Sequence, residues 1–364
     1  MERRMARLEL DRRNSLLVLV SALAACTAGP DASSSAESTP RTSGAIVADV
    51  GDSVLFVFQA KNGDYWFGSD DRGVYRYDGK TLVNFSTEHG LSGNSIRGIQ
   101  EDAAGVVYVM TYAGIDAFDG RGHERLRESE ASATGDWVLR PDDLWFTAGQ
   151  DTGAVYRYDG ELLHRLKFPQ TAAGDAATLP RSLYPNAKFS PYDVYTIVKD
   201  SQGSLWFGTA SLGVCRCDGK SFAWLPDSEL HNANFGARSI VEDKDGKFWF
   251  GESSSRYSVD LRDPSAPRFV SEVGLRDPRD PQRGLIDGII SGLVDRAGVL
   301  WLASYGGGVV RYDGTSTTHY PVTDRGVPIT VFSIHEDVRG VLWLGTHKAG
   351  PYKFDGEKFE RFRF

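Results

Sequence analysis

Residues 204–222 read SLWFGTASLGVCRCDGKSF, and two near copies occur elsewhere, DYWFGSDDRGVYRYDGKTL at 64–82 and VLWLGTHKAGPYKFDGEKF at 341–359. When the chain is aligned on the aromatic residue of this run, that position recurs with spacings of 42, 37, 61, 43, 52 and 42 residues. The recurring residues are Trp66, Tyr108, Trp145, Trp206, Trp249, Trp301 and Trp343. A period of about 40 residues with strand and turn signals is typical of a β-propeller.

Each repeat has the pattern of four strands, named A to D here, and the repeats are numbered one to seven. An apolar run such as VYTIV (194–198) is followed by a polar turn ending in Gly, then by the LWFG run, a variable stretch, GVYRY and Asp-Gly. Asp-Gly predicts a two-residue type I′ hairpin, because both central residues of that turn need positive φ. The middle strands are apolar at nearly every position, which predicts burial on both faces. The sequence therefore predicts an all-β fold, a seven-bladed β-propeller of four-stranded antiparallel blades, over residues 45–364.

Some repeats depart from the pattern. The fifth, GESSSRYSVDL (251–261), lacks Asp-Gly, and the third has a shortened A strand around Trp137. Insertions around 169–191 and 272–288 explain the two long spacings. We expect the ring to close without strand exchange, unless AIVADV (45–50) adds an edge strand.

The shared pattern, I-x-x-I-x-E-D-x-x-G-x-L-W-F-G-T-x-x-x-G-V-x-R-Y-D-G-x-x-F, resembles the two-component regulator propeller repeat. HGLSGNSI (89–96) is similar to the link that often joins blades in that family. The resemblance covers roughly residues 53–364 and implies a periplasmic ligand-binding sensor, with carbohydrates as the usual ligands. Well-known members continue into an immunoglobulin-like domain, a membrane helix and a histidine kinase. Because this sequence ends at Phe364, the resemblance supports ligand or partner binding by a stand-alone lipoprotein rather than autonomous signalling.

The N-terminus has the pattern of a targeting signal. Five arginines precede the apolar run LLVLVSALAA (16–25), which is too short to span a bilayer and is followed by Cys26. LAAC resembles the bacterial lipobox. We therefore predict a lipoprotein signal peptide at 1–25, a lipidated disordered tether at 26–44 and an envelope protein anchored to the outer membrane through Cys26. A plain secretory signal and a twin-arginine signal are the alternatives.

Composition limits the partners. The net charge is −8 without a Lys/Arg-rich run, which argues against nucleic acid or an anionic membrane surface. We expect a monomer that contacts the membrane only through its lipid. No nucleophile-elbow, zincin, P-loop or dinucleotide fingerprint occurs, so no cofactor or metal is predicted. Cys215 and Cys217 are interpreted as buried free thiols, and His335-Glu336 as structural.

The variable loops indicate the functional face. Because the strands alternate in direction, the A–B turns share one edge of the ring with the Asp-Gly turns, here the Asp-Gly rim. The B–C loops and D-to-A links share the other edge, the loop rim. The Asp-Gly rim is nearly identical between repeats and leaves little room for specificity, whereas the loop rim varies, as recognition surfaces do. The predicted ligand-binding residues are Asp70, Asp71, Arg72, Tyr112, Gln150, Asp151, Arg256, Tyr305, His347 and Lys348.

Two functions remain open at this point. The first is a lipid-anchored binding module for a glycan or another envelope protein. The alternative is a propeller-fold lyase or hydrolase acting on a polysaccharide or lactone, as the streptogramin lyases do. The absence of activity motifs favours binding, although propeller enzymes assemble their sites from scattered residues.

Overall fold

The β-strands of this chain follow its repeats closely. The computed structural model describes residues 43–129, 137–150, 152–176, 190–230, 236–251, 253–263, 267–279 and 284–364. The predicted signal peptide, nearly all of the tether, Cys26 and Asp151 lie outside these described residues, and the domain boundaries stay predictions. Among the described residues, no helix has the length and apolar character needed to cross a bilayer.

The first half of the chain contains twelve strands. They are β1 (Ala45–Ile46), β2 (Val54–Gln59), β3 (Tyr65–Ser69), β4 (Val74–Tyr77), β5 (Leu82–Phe85), β6 (Ile96–Glu101), β7 (Val107–Thr111), β8 (Ile115–Phe118), β9 (His123–Arg125), β10 (Leu144–Thr147), β11 (Ala154–Tyr158) and β12 (Leu163–Lys167). A 3₁₀ turn, Thr87–His89, follows β5, and a short helix, α1 (Ala172–Ala176), follows β12.

The second half continues with the same alternation. Its strands are β13 (Val194–Lys199), β14 (Leu205–Thr209), β15 (Val214–Cys217), β16 (Phe222–Leu225), β17 (Ile240–Glu242), β18 (Phe248–Phe250), β19 (Ser255–Asp260), β20 (Arg268–Val273), β21 (Ile289–Val294), β22 (Leu300–Ser304), β23 (Gly308–Tyr312), β24 (Thr317–Tyr320), β25 (Thr323–Asp324), β26 (Val327–Pro328), β27 (Val331–Glu336), β28 (Leu342–Thr346), β29 (Tyr352–Phe354) and β30 (Phe359–Arg361). One further helical turn, α2 (Asp227–Leu230), follows β16.

The strands assemble into an all-β propeller of mainly four-stranded antiparallel blades. Four sheets have four strands each: β6–β9, β13–β16, β17–β20 and β21–β24. A nine-stranded sheet combines β1–β5 with β27–β30, joined where Val54 pairs with Thr346. The described residues therefore form five sheets of four or more strands, and the predicted count of seven separate four-stranded blades is wrong.

Two departures account for that difference. Repeats one and seven share the nine-stranded sheet, because β2, the innermost strand of repeat one, pairs with β28, the second strand of repeat seven. Repeat three contributes a sheet of only three strands, β10–β12. The A strand predicted around Trp137 is not found among the described residues. Trp137 is instead a buried core residue, stacked 5.9 Å from Trp145.

The inner wall of the propeller consists of A strands, except in repeat three, where the B strand β10 takes this place. β2 contacts β6 and β27, β21 contacts both β17 and β27, and β13 contacts both β10 and β17. The B strands come next, and β7, β14, β22 and β28 are buried along their whole length. The prediction of burial on both faces is thus confirmed for these strands.

The repeated tryptophans pack against the following repeat. Trp206 is fully buried, with its ring 4.2 Å from Phe248 of repeat five. Trp301 lies 5.5 Å from Phe354 of repeat seven, and Trp343 lies 4.9 Å from Tyr65 of repeat one. No repeat can complete its core alone, because each buries its largest side chain against a neighbour.

The Asp-Gly turns differ from the predicted type I′ hairpin. Tyr77 pairs with Leu82, so the loop has four residues, 78–81. Gly79 has φ +95°, but Asp78 is not among the described residues with positive φ. Its carboxylate instead accepts hydrogen bonds from the backbone N–H groups of Lys80 and Thr81, both at 2.8 Å. An Asx turn therefore reverses the direction of the chain, and only the glycine adopts the left-handed backbone conformation.

The open question about AIVADV is also answered. Ala45 and Ile46 pair with Asn84 and Val83, so β1 adds an outer edge strand to repeat one. β30 pairs with β29, its own neighbour in repeat seven, and no other described strand pairs with β30.

Candidate functional site

A group on the loop rim brings two predicted residues together through a third. Asp70 accepts a hydrogen bond from Arg97 Nη2 at 2.6 Å, and the Arg97 guanidinium lies 4.3 Å from the centre of the Tyr112 ring. Asp70 and Tyr112 follow B strands, whereas Arg97 is the second residue of the A strand β6. The Arg97 Nε atom is buried and has no hydrogen-bond partner among the described residues. We call Asp70, Arg97 and Tyr112 the mouth cluster, because A strands line the centre of the propeller.

The equivalent A-strand position carries large side chains in other repeats. In repeat four it is Tyr195, and in repeat five the corresponding residue is Arg238, two residues before β17 begins. The Arg238 guanidinium lies 4.4 Å from the Tyr195 ring centre. In repeat seven it is Phe332, 5.8 Å from the ring of the predicted residue His347. Cation–aromatic contacts of this kind contribute about 0.5 to 2 kcal/mol, depending on solvent exposure.

The remaining loop-rim candidates are more separate. Asp71 and Arg72 are exposed, and Asp71 accepts a hydrogen bond from the Ser69 hydroxyl at 3.0 Å. Tyr305 is 74% exposed, and its backbone N–H donates to the Gly288 carbonyl at 3.0 Å. Lys348 is exposed at φ +66°, the left-handed region that non-glycine residues rarely adopt.

Gln150 lies near the mouth cluster. It is exposed and follows Gly149, where a Cβ would lie 3.3 Å from the Tyr112 carbonyl oxygen. The structure thus brings Asp70, Tyr112 and the 149–150 segment to one place. It does not bring Tyr305 or Lys348 into contact with them.

The expected location of Arg256 in a B–C loop is wrong. Arg256 lies inside strand β19, where it pairs with Trp249. Its guanidinium is 3.4 Å from Asp243 and 3.8 Å from Asp245, both in the A–B turn of the Asp-Gly rim. The Arg-Tyr pair of repeat five is therefore the counterpart of the Arg-Tyr pairs in VYRY. The missing Asp-Gly obscured that alignment.

A recurring aspartate organises the Asp-Gly rim. It begins the A–B turn and accepts a hydrogen bond from the indole N–H of the tryptophan six residues later. The bonds are Trp206 to Asp200 at 2.7 Å, Trp249 to Asp243 at 2.9 Å, Trp301 to Asp295 at 2.8 Å and Trp343 to Asp337 at 3.0 Å. In repeat two, the Tyr108 hydroxyl donates to Asp102 at 3.0 Å.

Repeat one lacks this bond. Its turn has Ala60 where repeats two and four to seven have aspartate, and the buried Nε1 of Trp66 has no hydrogen-bond partner among the described residues. An unsatisfied buried donor typically costs about 1 to 3 kcal/mol. Repeat one therefore has a local defect that repeats two and four to seven avoid.

The predicted structural role of His335-Glu336 agrees with the contacts. His335 Nε2 accepts the backbone N–H of Gln59 at 3.1 Å, across the junction of repeats seven and one. Burial lowers the pKa of His335 to about 4, because a buried imidazolium loses its hydration. Glu336 accepts the backbone N–H of Arg296 at 2.9 Å, which links repeats six and seven.

A groove of about 410 Å³ opens on the Asp-Gly rim at that junction. Tyr65 and Tyr77 of repeat one lie on one side, with Arg339, Lys353 and Phe362 of repeat seven on the other. The sequence predicts no cavity on the Asp-Gly rim, and the structure has one at this junction. The prediction missed the groove because it exists between repeats that are far apart in sequence.

The sequence prediction also missed Arg97, Tyr195 and Arg238. A signal for them was present, since the position that they share varies between repeats while the residue before it stays apolar. Leu55, Arg97, Tyr195, Arg238, Ile290 and Phe332 occupy that column. The predicted residues were all chosen from loop positions, whereas these lie at the entrance to A strands.

The cysteine interpretation is confirmed. Cys215 and Cys217 are free, fully buried and part of one hydrophobic cluster. Burial raises the pKa of both thiols, which opposes formation of the reactive thiolate. The described residues contain no cluster of three or more His, Cys, Asp or Glu side chains placed to bind a metal ion.

Comparison with known proteins confirms the resemblance inferred from the repeats. The two component regulator propeller model matches residues 188–211, which include the LWFG run of repeat four. No curated protein matches the chain by sequence.

Solved structures share the fold. The extracellular domain of BT4673 from B. thetaiotaomicron, assigned to a one-component or hybrid two-component system, has 21% identity and a TM-score of 0.57. That alignment covers 86% of this chain and 39% of the other, so this chain spans well under half of the relative's length. Virginiamycin B lyase from Staphylococcus aureus has 12% identity and a TM-score of 0.55, with 84% and 96% of the two chains covered. YCF48 from Cyanidioschyzon merolae has 16% identity and a TM-score of 0.54, with 86% and 98% covered.

Proposed function

We propose that this protein is a cell-envelope binding module whose propeller recognises a glycan at the loop rim. The observation that carries the proposal is the mouth cluster, where a guanidinium, a carboxylate and an accessible aromatic ring meet at the inner end of the repeats. The match to the two component regulator propeller model and the similarity to an extracellular sensor domain support a sensor-like role.

Glycan recognition needs both a flat apolar face and several hydrogen-bonding groups on a rigid frame. Tyr112 is 49% exposed and Tyr195 is 40% exposed, so part of each ring is accessible for stacking. Arg97 and Arg238 lie against these rings and supply N–H donors. The partly buried A strand β6 and the fully buried B strand β7 beneath them supply the rigidity.

The test is a glycan array with the full chain, followed by titration calorimetry with the glycan that binds best. Tyr112→Ala and Arg97→Met should each weaken binding by about tenfold, a loss of about 1.4 kcal/mol. Gln202→Ala, in an exposed turn of the Asp-Gly rim, is the control and should leave affinity unchanged. Binding that depends on Gln202 but not on Tyr112 would place recognition on the Asp-Gly rim and contradict the proposal. An envelope protein recovered by cross-linking, with no glycan bound, would replace the glycan as the ligand.

We further propose that Cys26 anchors the module to the outer membrane. Its support is the order of basic residues, apolar run and LAAC in the sequence. Cys26→Ser should release the protein into the soluble envelope fraction or leave it unprocessed. If the variant still sediments with membranes after a high-salt wash, the anchor is not a lipid on Cys26.

A further inference from the structure

The junction of repeats seven and one differs from the neighbouring junction in how its aromatic side chains pack. Between repeats six and seven, Phe354 lies 5.5 Å from Trp301 and 5.2 Å from Tyr320, so it fills the space beside the tryptophan. Tyr77 is the counterpart of Phe354 in repeat one. Its only ring contact among the described residues is with Phe364, at 5.1 Å, and its hydroxyl donates to the Gly79 carbonyl at 3.0 Å. The space beside Trp343 therefore stays open as the groove.

The walls of this groove are aromatic. Tyr65 and Trp343 lie 4.9 Å apart between ring centres, and Phe362 lies 4.9 Å from Trp343 on the other side. Trp343 and Phe67 are buried at the base, whereas Tyr65, Tyr77 and Phe362 are partly exposed. A ligand body with a flat apolar face would pack here. The volume of about 410 Å³ lies within the usual range for small-molecule sites, about 300 to 1,000 Å³.

Both charged residues that line the groove are cations, although the whole protein has a net charge of −8. The Arg339 side chain is 63% exposed, and its Nη2 donates to the Tyr65 hydroxyl at 2.9 Å, which fixes one end of the guanidinium. Lys353 lies over the Trp343 ring, with Nζ 5.4 Å from the centre, and no described carboxylate lies within 4 Å of it. The carboxylate of Asp337 is fully covered and accepts from Tyr65 and Trp343. It lies 3.6 Å from Arg339 Nη2, so it holds one edge of the guanidinium while the rest of the side chain stays exposed.

We propose that this groove binds a small organic carboxylate whose body is a six-membered ring. The ring packs against the partly exposed aromatic side chains, and the carboxylate lies between Arg339 and Lys353. A planar guanidinium matches a carboxylate with two parallel N–H···O bonds. A uronic sugar and an aromatic acid share this chemistry, and the experiment separates them. The site is on the Asp-Gly rim, so it is independent of the glycan proposed for the loop rim.

The experiment measures dissociation constants of the full chain by ligand-observed NMR for two matched pairs. D-glucuronate is compared with D-glucose, and 4-hydroxybenzoate with phenol. At least one carboxylate should bind about tenfold more tightly than its neutral partner, and its affinity should fall as salt increases, because the contact is partly solvent-exposed. The pair that shows this difference identifies the source of the ring.

Variants locate the site. Arg339→Gln and Lys353→Met should each weaken binding of that carboxylate by about tenfold. Arg311→Met is the matched control, since Arg311 holds the Lys353 position in repeat six, pairs with Asp313 at 3.0 Å and lies at the filled junction. Tyr112→Ala on the loop rim should also have no effect. Because Arg339 is mostly exposed, its variant should fold, which a thermal melt checks.

The proposal is overturned if neither carboxylate binds in the millimolar range, or if the neutral partners bind equally well. It is also overturned if the Arg339 and Lys353 variants retain the wild-type affinity, or if Tyr112→Ala abolishes binding instead.

Discussion

The two rims of the propeller contain similar residue types that have different roles. On the Asp-Gly rim, an aspartate, a tryptophan and an arginine or lysine recur, and the carboxylates of Asp200, Asp243, Asp295 and Asp337 each accept an indole N–H. On the loop rim, Asp70, Arg97 and Tyr112 form a comparable acid–cation–aromatic group, but only once. The first arrangement is buried and repeated, and the second is accessible and unique. Repeated, buried aspartate–tryptophan bonds therefore indicate a structural role, and an accessible group that occurs in one repeat indicates a binding role.

The largest expected effect comes from breaking the repeated arrangement where it has most partners. Asp337 accepts hydrogen bonds from Trp343 Nε1 at 3.0 Å, the Tyr65 hydroxyl at 2.7 Å and two backbone N–H groups. Asp337→Ala leaves these donors unsatisfied and should lower the free energy of unfolding by about 3 to 5 kcal/mol. Asp71→Ala, an exposed aspartate on the loop rim, is the control and should cost less than about 0.5 kcal/mol. Urea denaturation measures both, and equal losses would contradict the distinction between the rims.

The second effect is a pH dependence at the junction of repeats seven and one. The pKa of His335 falls from 6.5 to about 4 on folding, so below pH 6.5 the unfolded chain binds a proton that the folded protein does not. The free energy of unfolding should therefore be fully retained above pH 6.5 and fall by about 3 kcal/mol as the pH drops to 4. His335→Gln should remove this part of the loss, because a glutamine does not titrate. Identical slopes for the two proteins between pH 6.5 and 4 would show that His335 is not the group responsible.

A smaller effect should come from repairing the defect in repeat one. Ala60→Asp places a carboxylate six residues before Trp66, as in repeats four to seven, and the turn around it already has the same hydrogen bonds. The Ala60 N–H donates to the Asp64 carbonyl at 2.9 Å, as the Asp337 N–H does to Val341. We expect a gain of about 1 kcal/mol in the free energy of unfolding. Ala60→Leu, which adds volume without an acceptor, is the comparison and should not stabilise the protein.

The smallest effect on stability is expected on the loop rim. Tyr305 is 74% exposed, so Tyr305→Ala should change the melting temperature by less than about 1 °C. Trp301→Ala, four residues earlier in the same repeat, removes a buried ring and should produce a large decrease. A large loss in the tyrosine variant would mean that this loop supports the fold.

Much of the fold could be predicted from the sequence, because it depends on local patterns repeated many times. The aromatic run, the apolar middle strands and the Asp-Gly turns each recur at a fixed place in the repeat, so a change in one copy does not hide the pattern. The blade count was wrong because pairing between Val54 and Thr346 joins residues that are almost the whole chain apart. The type I′ turn was wrong because the Asp78 side chain bonds its own loop.

The candidate site was less predictable for a related reason. Asp70 and Tyr112 could be selected as variable loop residues, but the residue that joins them, Arg97, lies in a regular strand. Arg256 was misplaced because the repeat around it has lost the turn that marks the register. Contacts between repeats depend on three-dimensional neighbours, and the sequence of one repeat contains no record of them.

Strand β1 has a mechanical consequence. It is joined to the outer edge of repeat one by only two residue pairs, Ala45 with Asn84 and Ile46 with Val83, and by the Val47 N–H to the Leu82 carbonyl at 3.0 Å. A pull applied from the N-terminal side would load these few bonds in succession and peel β1 away at low force. The extension gained, about 3.3 Å per residue, would be taken up before the load reached the inner strand β2. Under tension β1 would thus detach first, before the packed junctions between repeats carried any load.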